Sequence, residues 1–155
     1  MKLSKKSEYG LRALIELTKN YGLPITRQQI GERQNVPVLF LEHILLRLKH
    51  AGLVASTRGV HGGYVLIKPP SKVTLGHVIR ILDGPLAPIA CVSKTAYKKC
   101  QDCSYATRAR CPLQHVMGGV RNAIADILDN YSLEDFIAGI NGSRRSTAHR
   151  STARR

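Results

Sequence analysis

Residues Ile25 to Tyr64 read ITRQQIGERQNVPVLFLEHILLRLKHAGLVASTRGVHGGY. Thr26 and Gln29 stand in the T-x-x-Q pattern of a capping box, whose side chains satisfy two backbone N–H groups that a helix start leaves open. Ile25 before the cap and Ile30 at the fourth helical position form a hydrophobic staple. The pattern predicts a short helix from about Arg27 to Gln34. Asn35 tolerates the left-handed conformation of a tight turn, and Pro37 suits the first turn of a second helix. That helix runs to about Ala51, with Leu41, Ile44, Leu45 and Leu48 on its buried stripe and Gly52 as its stop. Leu39, Glu42, His43 and Arg47 fall outside the stripe. Two helices across a tight turn read as a helix-turn-helix. Leu53–Thr57 and Tyr64–Ile67 then read as strands around a turn carrying Arg58, His61 and glycines at 59, 62 and 63, and Pro69 and Pro70 close the second strand. A hairpin directly after a helix-turn-helix is the order of a winged helix. The glycines let backbone approach a phosphate or a groove closely.

The flanks extend this unit. A helix over Ser4–Tyr21 precedes it, with Leu11, Leu14, Ile15, Thr18 and Tyr21 on one face and Gly22 and Pro24 ending it. Glu8, Arg12 and Glu16 interrupt its apolar residues, which marks an amphipathic helix rather than a signal peptide. After the hairpin, Thr74 caps a short helix over Leu75–Asp83 that Gly84 and Pro85 stop. A long helix opens at Pro112 and reaches about Asn130. Leu113, Val116, Met117, Val120, Ile124, Ile127, Leu128 and Tyr131 follow the i, i+3, i+4, i+7 pattern along it, which suits a dimer helix; packing onto its own chain is the other reading. Ser132 and Asp135 start a last short helix through Phe136 and Ala138. The expected architecture is mainly α with a small β-hairpin: a winged helix-turn-helix DNA-binding domain (1–84), a cysteine-rich loop (85–111), a dimerisation helix with a short C-terminal helix (112–138) and a disordered basic tail (139–155).

The net charge is +14. Residues 139–155 hold five of the arginines and no acid, leaving 19 basic against 10 acidic residues in 1–138. The folded part is therefore basic in its own right, which favours an anionic polymer as partner. No apolar run approaches the length of a membrane span, so the expected location is the cytoplasm with no membrane partner. No Ser/His/Asp set, P-loop or Rossmann glycine pattern is present, so the chain is expected not to be an enzyme. A non-specific structural nucleic-acid-binding protein is the alternative that charge alone would fit.

All four cysteines fall between Cys91 and Cys111, in CVSKTAYKKCQDCSYATRARC, spaced C-x8-C-x2-C-x7-C. The segment lacks the apolar periodicity that would pack it as a helix or strand, so a metal or a cluster is the first candidate to order it. Lys94, Lys98, Lys99, Arg108 and Arg110 surround the thiols and are expected to lower their pKa values.

The run Tyr9-Gly10-Leu11-Arg12-Ala13-Leu14, the segment Ile30 to Asn35, Phe40-Leu41-Glu42, and Leu53-Val54 through Arg58-Gly59 to Gly62-Gly63-Tyr64 together resemble the Rrf-two family of bacterial winged-helix regulators, which includes iron–sulfur and nitric-oxide-sensing members. The resemblance covers residues 1–138 and implies a homodimer that binds double-stranded DNA at a palindromic operator and uses a cluster or another small signal to set its affinity. It places base reading on the second helix of the helix-turn-helix. Glu42 matches a glutamate that reads the major groove, where a carboxylate can accept from cytosine N4. His43 stands where the iron–sulfur members carry glutamine, and Leu39 replaces a small polar residue and offers apolar contact. Arg58 matches a wing arginine that enters the minor groove. Tyr9, Arg12, Gln28, Arg47, His61 and Gly62 take positions that contact the DNA backbone.

The resemblance also implies an iron–sulfur cluster, with two or four irons. Its iron–sulfur members have three cysteines followed by a histidine. Here Cys91 and Cys111 match the outer pair, and either Cys100 or Cys103 matches the middle one. All four cysteines can supply the ligands, with His115 and the partner subunit's Glu8 as alternatives. Zinc is the competing cofactor, although its four-cysteine sites usually show two C-x2-4-C knuckles and only Cys100 and Cys103 form one. A thiol–disulfide switch through Cys100 and Cys103 is the third reading. In each, ordering the loop would fix the angle between two DNA-reading heads, whose recognition helices must lie roughly 34 Å apart to meet successive major grooves.

Overall fold

Local signals in the sequence are realised as hydrogen bonds. In the computed structural model, which describes residues 2–101, 103–105 and 110–140, Thr26 accepts from the Gln29 N–H while the Gln29 side chain accepts from the Thr26 N–H at 2.9 Å. This box opens α2 (Arg27–Gln34), and Asn35 ends it in the left-handed region. α1 (Lys5–Lys19) precedes it and α3 (Val38–His50) follows. β1 (Val54–Thr57) pairs antiparallel with β2 (Gly63–Leu66), Val54 opposite Leu66 and Thr57 opposite Gly63. α4 (Leu75–Asp83), a 3-10 turn over Ala90–Val92, α5 (Pro112–Asn130) and α6 (Leu133–Ile140) complete the described chain.

The first three helices, the hairpin, α4 and the start of α6 share one core. Leu14 and Leu17 of α1, Ile30 of α2, Leu41, Leu45 and Leu48 of α3 and Leu82 of α4 are all fully buried. Burying each such side chain contributes roughly 1.5–3 kcal/mol. The staple pair Ile25 and Ile30 is part of this core. The wing is fastened to the helix-turn-helix by a backbone bridge in which the Ile25 N–H donates to the Tyr64 carbonyl at 3.1 Å and the Tyr64 N–H returns to Ile25 at 2.9 Å. Gly63 makes that approach feasible, since a Cβ there would lie 2.7 Å from the Ile25 carbonyl oxygen.

Several boundaries differ from the sequence expectation. α1 ends at Lys19 because Asn20 caps it, its backbone N–H and its side-chain amide both donating to the Glu16 carbonyl. Tyr21 therefore lies beyond the helix and is exposed, while Ala13, Leu14 and Leu17 carry the inward face. Pro37 stands before α3 as its cap residue rather than inside the first turn. α6 extends to Ile140, past the expected 138, and packs on the winged helix rather than alongside α5. The Leu75 N–H donates to the Tyr131 carbonyl at 2.9 Å, the Leu133 N–H to Val73 at 2.8 Å, and Leu133 is fully buried. Of the eight apolar residues expected as one stripe on α5, Tyr131 lies just past the helix as its exposed C-cap, and the other seven separate into two groups. Met117, Ile124 and Leu128 are half-buried toward the molecule, and Leu128 packs on the core. Leu113, Val116, Val120 and Ile127 are exposed on the outside, Leu113 by 58% and Ile127 by 62%. The basic tail, apart from residues 139 and 140, lies outside the described residues.

Candidate nucleic-acid interface and cysteine loop

Because Leu41, Ile44, Leu45 and Leu48 turn into the core, helical geometry sends Leu39, Glu42, His43 and Arg47 outward. All four are exposed, Leu39 by 78%. Glu42 is not free on this surface: Arg27 Nη1, from the first residue of α2, holds its carboxylate at 2.8 Å. Sequence reading does not single out Arg27. Its only signal is that a residue opening α2 faces the exposed side of α3 across the turn. His43 and Arg47 line a shallow groove with Lys6, Phe40 and His50, which sets the two permanent cations Lys6 and Arg47 beside the exposed face of α3.

Tyr9 is half-buried, packed edge-on against Phe40 with ring centroids 5.9 Å apart. Lys5 and Arg12 stand 5.8 and 5.9 Å from its ring. Arg12 also pairs with Glu8 at 2.8 Å and donates to the Gln34 carbonyl at 3.4 Å, tying α1 to the end of α2. Gln28 is exposed on the first turn of α2. In the wing, Arg58 and His61 are exposed, and the Gly62 N–H closes the tip by donating to the Gly59 carbonyl. Val60 projects from the same tip with 97% of its surface free, an apolar contact point that a charge-based reading passes over. The helix-turn-helix residues and the wing residues reach the surface as separate groups on α1, α2, α3 and the hairpin.

The four cysteines are free thiols. Cys91 is buried in the 3-10 turn, Cys100 is exposed, and Cys103 and Cys111 are intermediate. Cys100 is hydrogen-bonded with Cys91, which pushes its thiol up from the ordinary range; partial desolvation and the sulfurs of Cys91, Cys103 and Cys111 act in the same direction. This is opposite to the expected lowering by basic neighbours: for Cys100 the other thiols outweigh the flanking cations, which are exposed at 94, 98, 99 and 110. Arg108 lies outside the described residues. Cys111 caps α5, its Sγ accepting from the Gln114 N–H at 3.4 Å. Cys103 donates to the Tyr105 carbonyl at 3.7 Å. Glu8 is occupied by Lys5 and Arg12, and His115 is exposed in the first turn of α5.

Four thiols within reach of each other's charge are the right donor chemistry for an iron–sulfur cluster or for zinc. Among the described residues, however, no three histidine, cysteine, aspartate or glutamate side chains are grouped closely enough to hold a metal ion. The loop as it stands is a thiol pair, Cys91 with Cys100, and two separately bonded thiols. Its root is fixed: the 3-10 turn carrying Cys91 packs on α5, and α4 packs on α5 through Arg80, which holds Asp129 with both terminal nitrogens at 2.5 and 2.8 Å.

Residues 3–139 match the Rrf2 family model, described as an iron-dependent transcriptional regulator. The chain belongs to the Rrf2 family. It is 39% identical over 143 residues to a putative rrf2-like HTH-type transcriptional regulator of Rhodobacter capsulatus, covering 90% of this chain and 94% of that one. Among solved structures it is similar to CymR of B. subtilis, described as the global cysteine regulator, with TM-score 0.73, 34% identity, and 90% of this chain and 98% of that one covered. It is also similar to T. potens IscR, with TM-score 0.70, 29% identity, and 90% and 88% covered. These relatives are transcriptional regulators, not enzymes, and the winged-helix fold is theirs. No helix among the described residues is long and apolar enough to cross a membrane.

Proposed function

We propose that this Rrf2-family regulator binds a palindromic operator as a homodimer and that the Cys91–Cys111 loop sets its affinity by holding an iron–sulfur cluster. α3 enters the major groove with Glu42, His43 and Leu39 toward the bases. Arg58 takes the minor groove, and Tyr9, Arg12, Gln28, Arg47, His61 and Gly62 contact the backbone. α5 pairs with its copy through Leu113, Val116, Val120, Ala123 and Ile127, whose steps of three and four residues are those of a coiled-coil seam. The observation that carries the sensor reading is the position of the thiols: Cys91 sits on α5 and Cys111 caps it, so whatever joins them bears on the helix that spaces the two heads. Cys91, Cys100, Cys103 and Cys111 would be the ligands, and a bound cluster would supply an oxidisable cross-link among them. The Cys91–Cys100 hydrogen bond supports a second reading, in which an oxidant takes two electrons and two protons from this pair and leaves a disulfide.

Anaerobic purification followed by iron, sulfide and zinc analysis, with operator binding of loaded and stripped protein at fixed salt, separates these. Stoichiometric iron and sulfide with a change in operator affinity on stripping supports the cluster. Zinc in their place supports the competing metal, and metal-free protein whose DNA affinity changes on forming a Cys91–Cys100 disulfide supports the thiol switch. Equal operator binding in every state would discard the sensor role.

A further inference from the structure

A cleft of about 210 Å³ opens between α4, the strand of chain leading out of the Cys91 turn, and α5. None of its lining residues belongs to α2, α3 or the wing. Arg80 and Asp129 form one wall and neutralise each other through their two-pronged ion pair. The lining also includes Arg121, four residues before Ala125 and eight before Asp129 on the same face of α5, together with Lys94, Ser93 and Thr95. Among the described residues neither Arg121 nor Lys94 has an acidic partner within ion-pair distance. The Arg121 Nε is fully buried and has no hydrogen-bond partner. A buried guanidinium N–H without an acceptor is an uncommon and unfavourable state, and such groups in folded proteins are normally completed by a partner, a water or a ligand. Ser93 is buried, and its hydroxyl accepts from the Ala96 N–H at 2.9 Å, which leaves its own O–H to donate into the cleft.

We propose that this cleft is an effector site for a small organic dianion of about dicarboxylate size. Two uncompensated cations beside a hydroxyl donor call for two negative charges on the ligand. The planar guanidinium of Arg121 matches a carboxylate or phosphate oxygen pair better than a point charge would. The volume lies below the roughly 300–1,000 Å³ of drug-sized sites, so nucleotides are too large. A duplex backbone is not the occupant, because the walls are α4, α5 and the chain between them rather than the DNA-reading surface. The site adjoins both the cysteine loop, through Lys94 three residues after Cys91, and the Arg80–Asp129 contact that joins α4 to α5. An anion bound there clamps head, loop and α5 together. Its influence on operator affinity rests on the regulator function proposed above; the binding itself does not.

The test uses the full chain, with succinate and inorganic phosphate as probes and neutral succinamide as control, at constant ionic strength. Calorimetric titration is expected to show saturable binding of one succinate or phosphate per chain and none of succinamide. The two anions separate a carboxylate site from a phosphate site. Arg121→Gln and Lys94→Gln should each weaken binding about ten-fold, the scale of losing one charge-assisted hydrogen bond. If Arg121→Gln unfolds, the exposed Lys94→Gln carries the comparison. Operator affinity of the ligand-free variants, measured in parallel, should equal that of the parent, so failure of this site and failure of the regulator function are read separately. No saturable binding of either anion, or binding that the variants leave unchanged, overturns the proposal.

Discussion

In the base-reading role proposed for Glu42, its ion pair with Arg27 would decide how the carboxylate meets a base. A carboxylate on a reading helix repels phosphate and is useful only where it accepts from cytosine N4. Tied at 2.8 Å to Arg27, it is aimed and partly neutralised, so the cost of bringing it to DNA falls. Glu42→Gln should therefore bind non-specific DNA slightly more tightly while losing roughly 1–3 kcal/mol of discrimination at one base pair of each half-site. Arg27→Ala should lose part of the same discrimination with the carboxylate intact. Operator and single-base variants titrated at one salt concentration decide it. Unchanged discrimination in Glu42→Gln would remove Glu42 from base reading. The pair also marks a limit of sequence reading. Helical period shows Glu42 as an exposed position, but an ion pair between two helices depends on their crossing, which no local pattern specifies.

At the scale of elements, legibility follows locality. The capping box at Thr26, the turn at Asn35, the Thr74 cap and the bounds of α4 and α5 are readable because each rests on residues a few positions apart. The attachment of α6 to the head is not, since the backbone bridges from Val73 and Leu75 to Leu133 and Tyr131 join segments far apart in sequence. For α5 the period is right but the partition is hidden. An apolar stripe states that a helix is covered without stating by what, and here the cover is divided between the chain's own core at Leu128 and open surface at Val120 and Ile127. That outer seam yields a direct prediction: Val120→Glu with Ile127→Glu should leave the fold cooperative, because neither side chain is buried, yet convert a dimer to monomer by sedimentation and weaken palindrome binding more than half-site binding. A double variant that stays dimeric would place the interface elsewhere.

For the whole molecule, the joint between head and α5 is the element on which the proposed sensing would act. It is narrow by construction: a Cβ on Gly76 would fall on Asp129 Oδ1, so glycine there lets the carboxylate reach over α4 to Arg80. The Arg80 hydrogen bond holds the Asp129 carboxyl below the ordinary carboxylate range, against a smaller opposing effect of burial. A depressed folded-state pKa stabilises the native state above the unfolded pKa and loses that contribution as pH falls through the folded value. Both side chains are substantially solvent-exposed, so screening limits the contribution to roughly 0.2–1 kcal/mol. Asp129→Asn should thus lower stability by about that amount at neutral pH, and the deficit should shrink as pH falls below the carboxylate range, where the parent loses the same charge. Gly76→Ala should displace the Asp129 carboxylate, the movable end of a flexible side chain, and so cost about as much as Asp129→Asn, with the same dependence on pH. Urea unfolding of the three proteins across an acid-to-neutral series measures both. A deficit in Asp129→Asn that does not change with pH would mean that the joint is held by packing rather than by the ion pair.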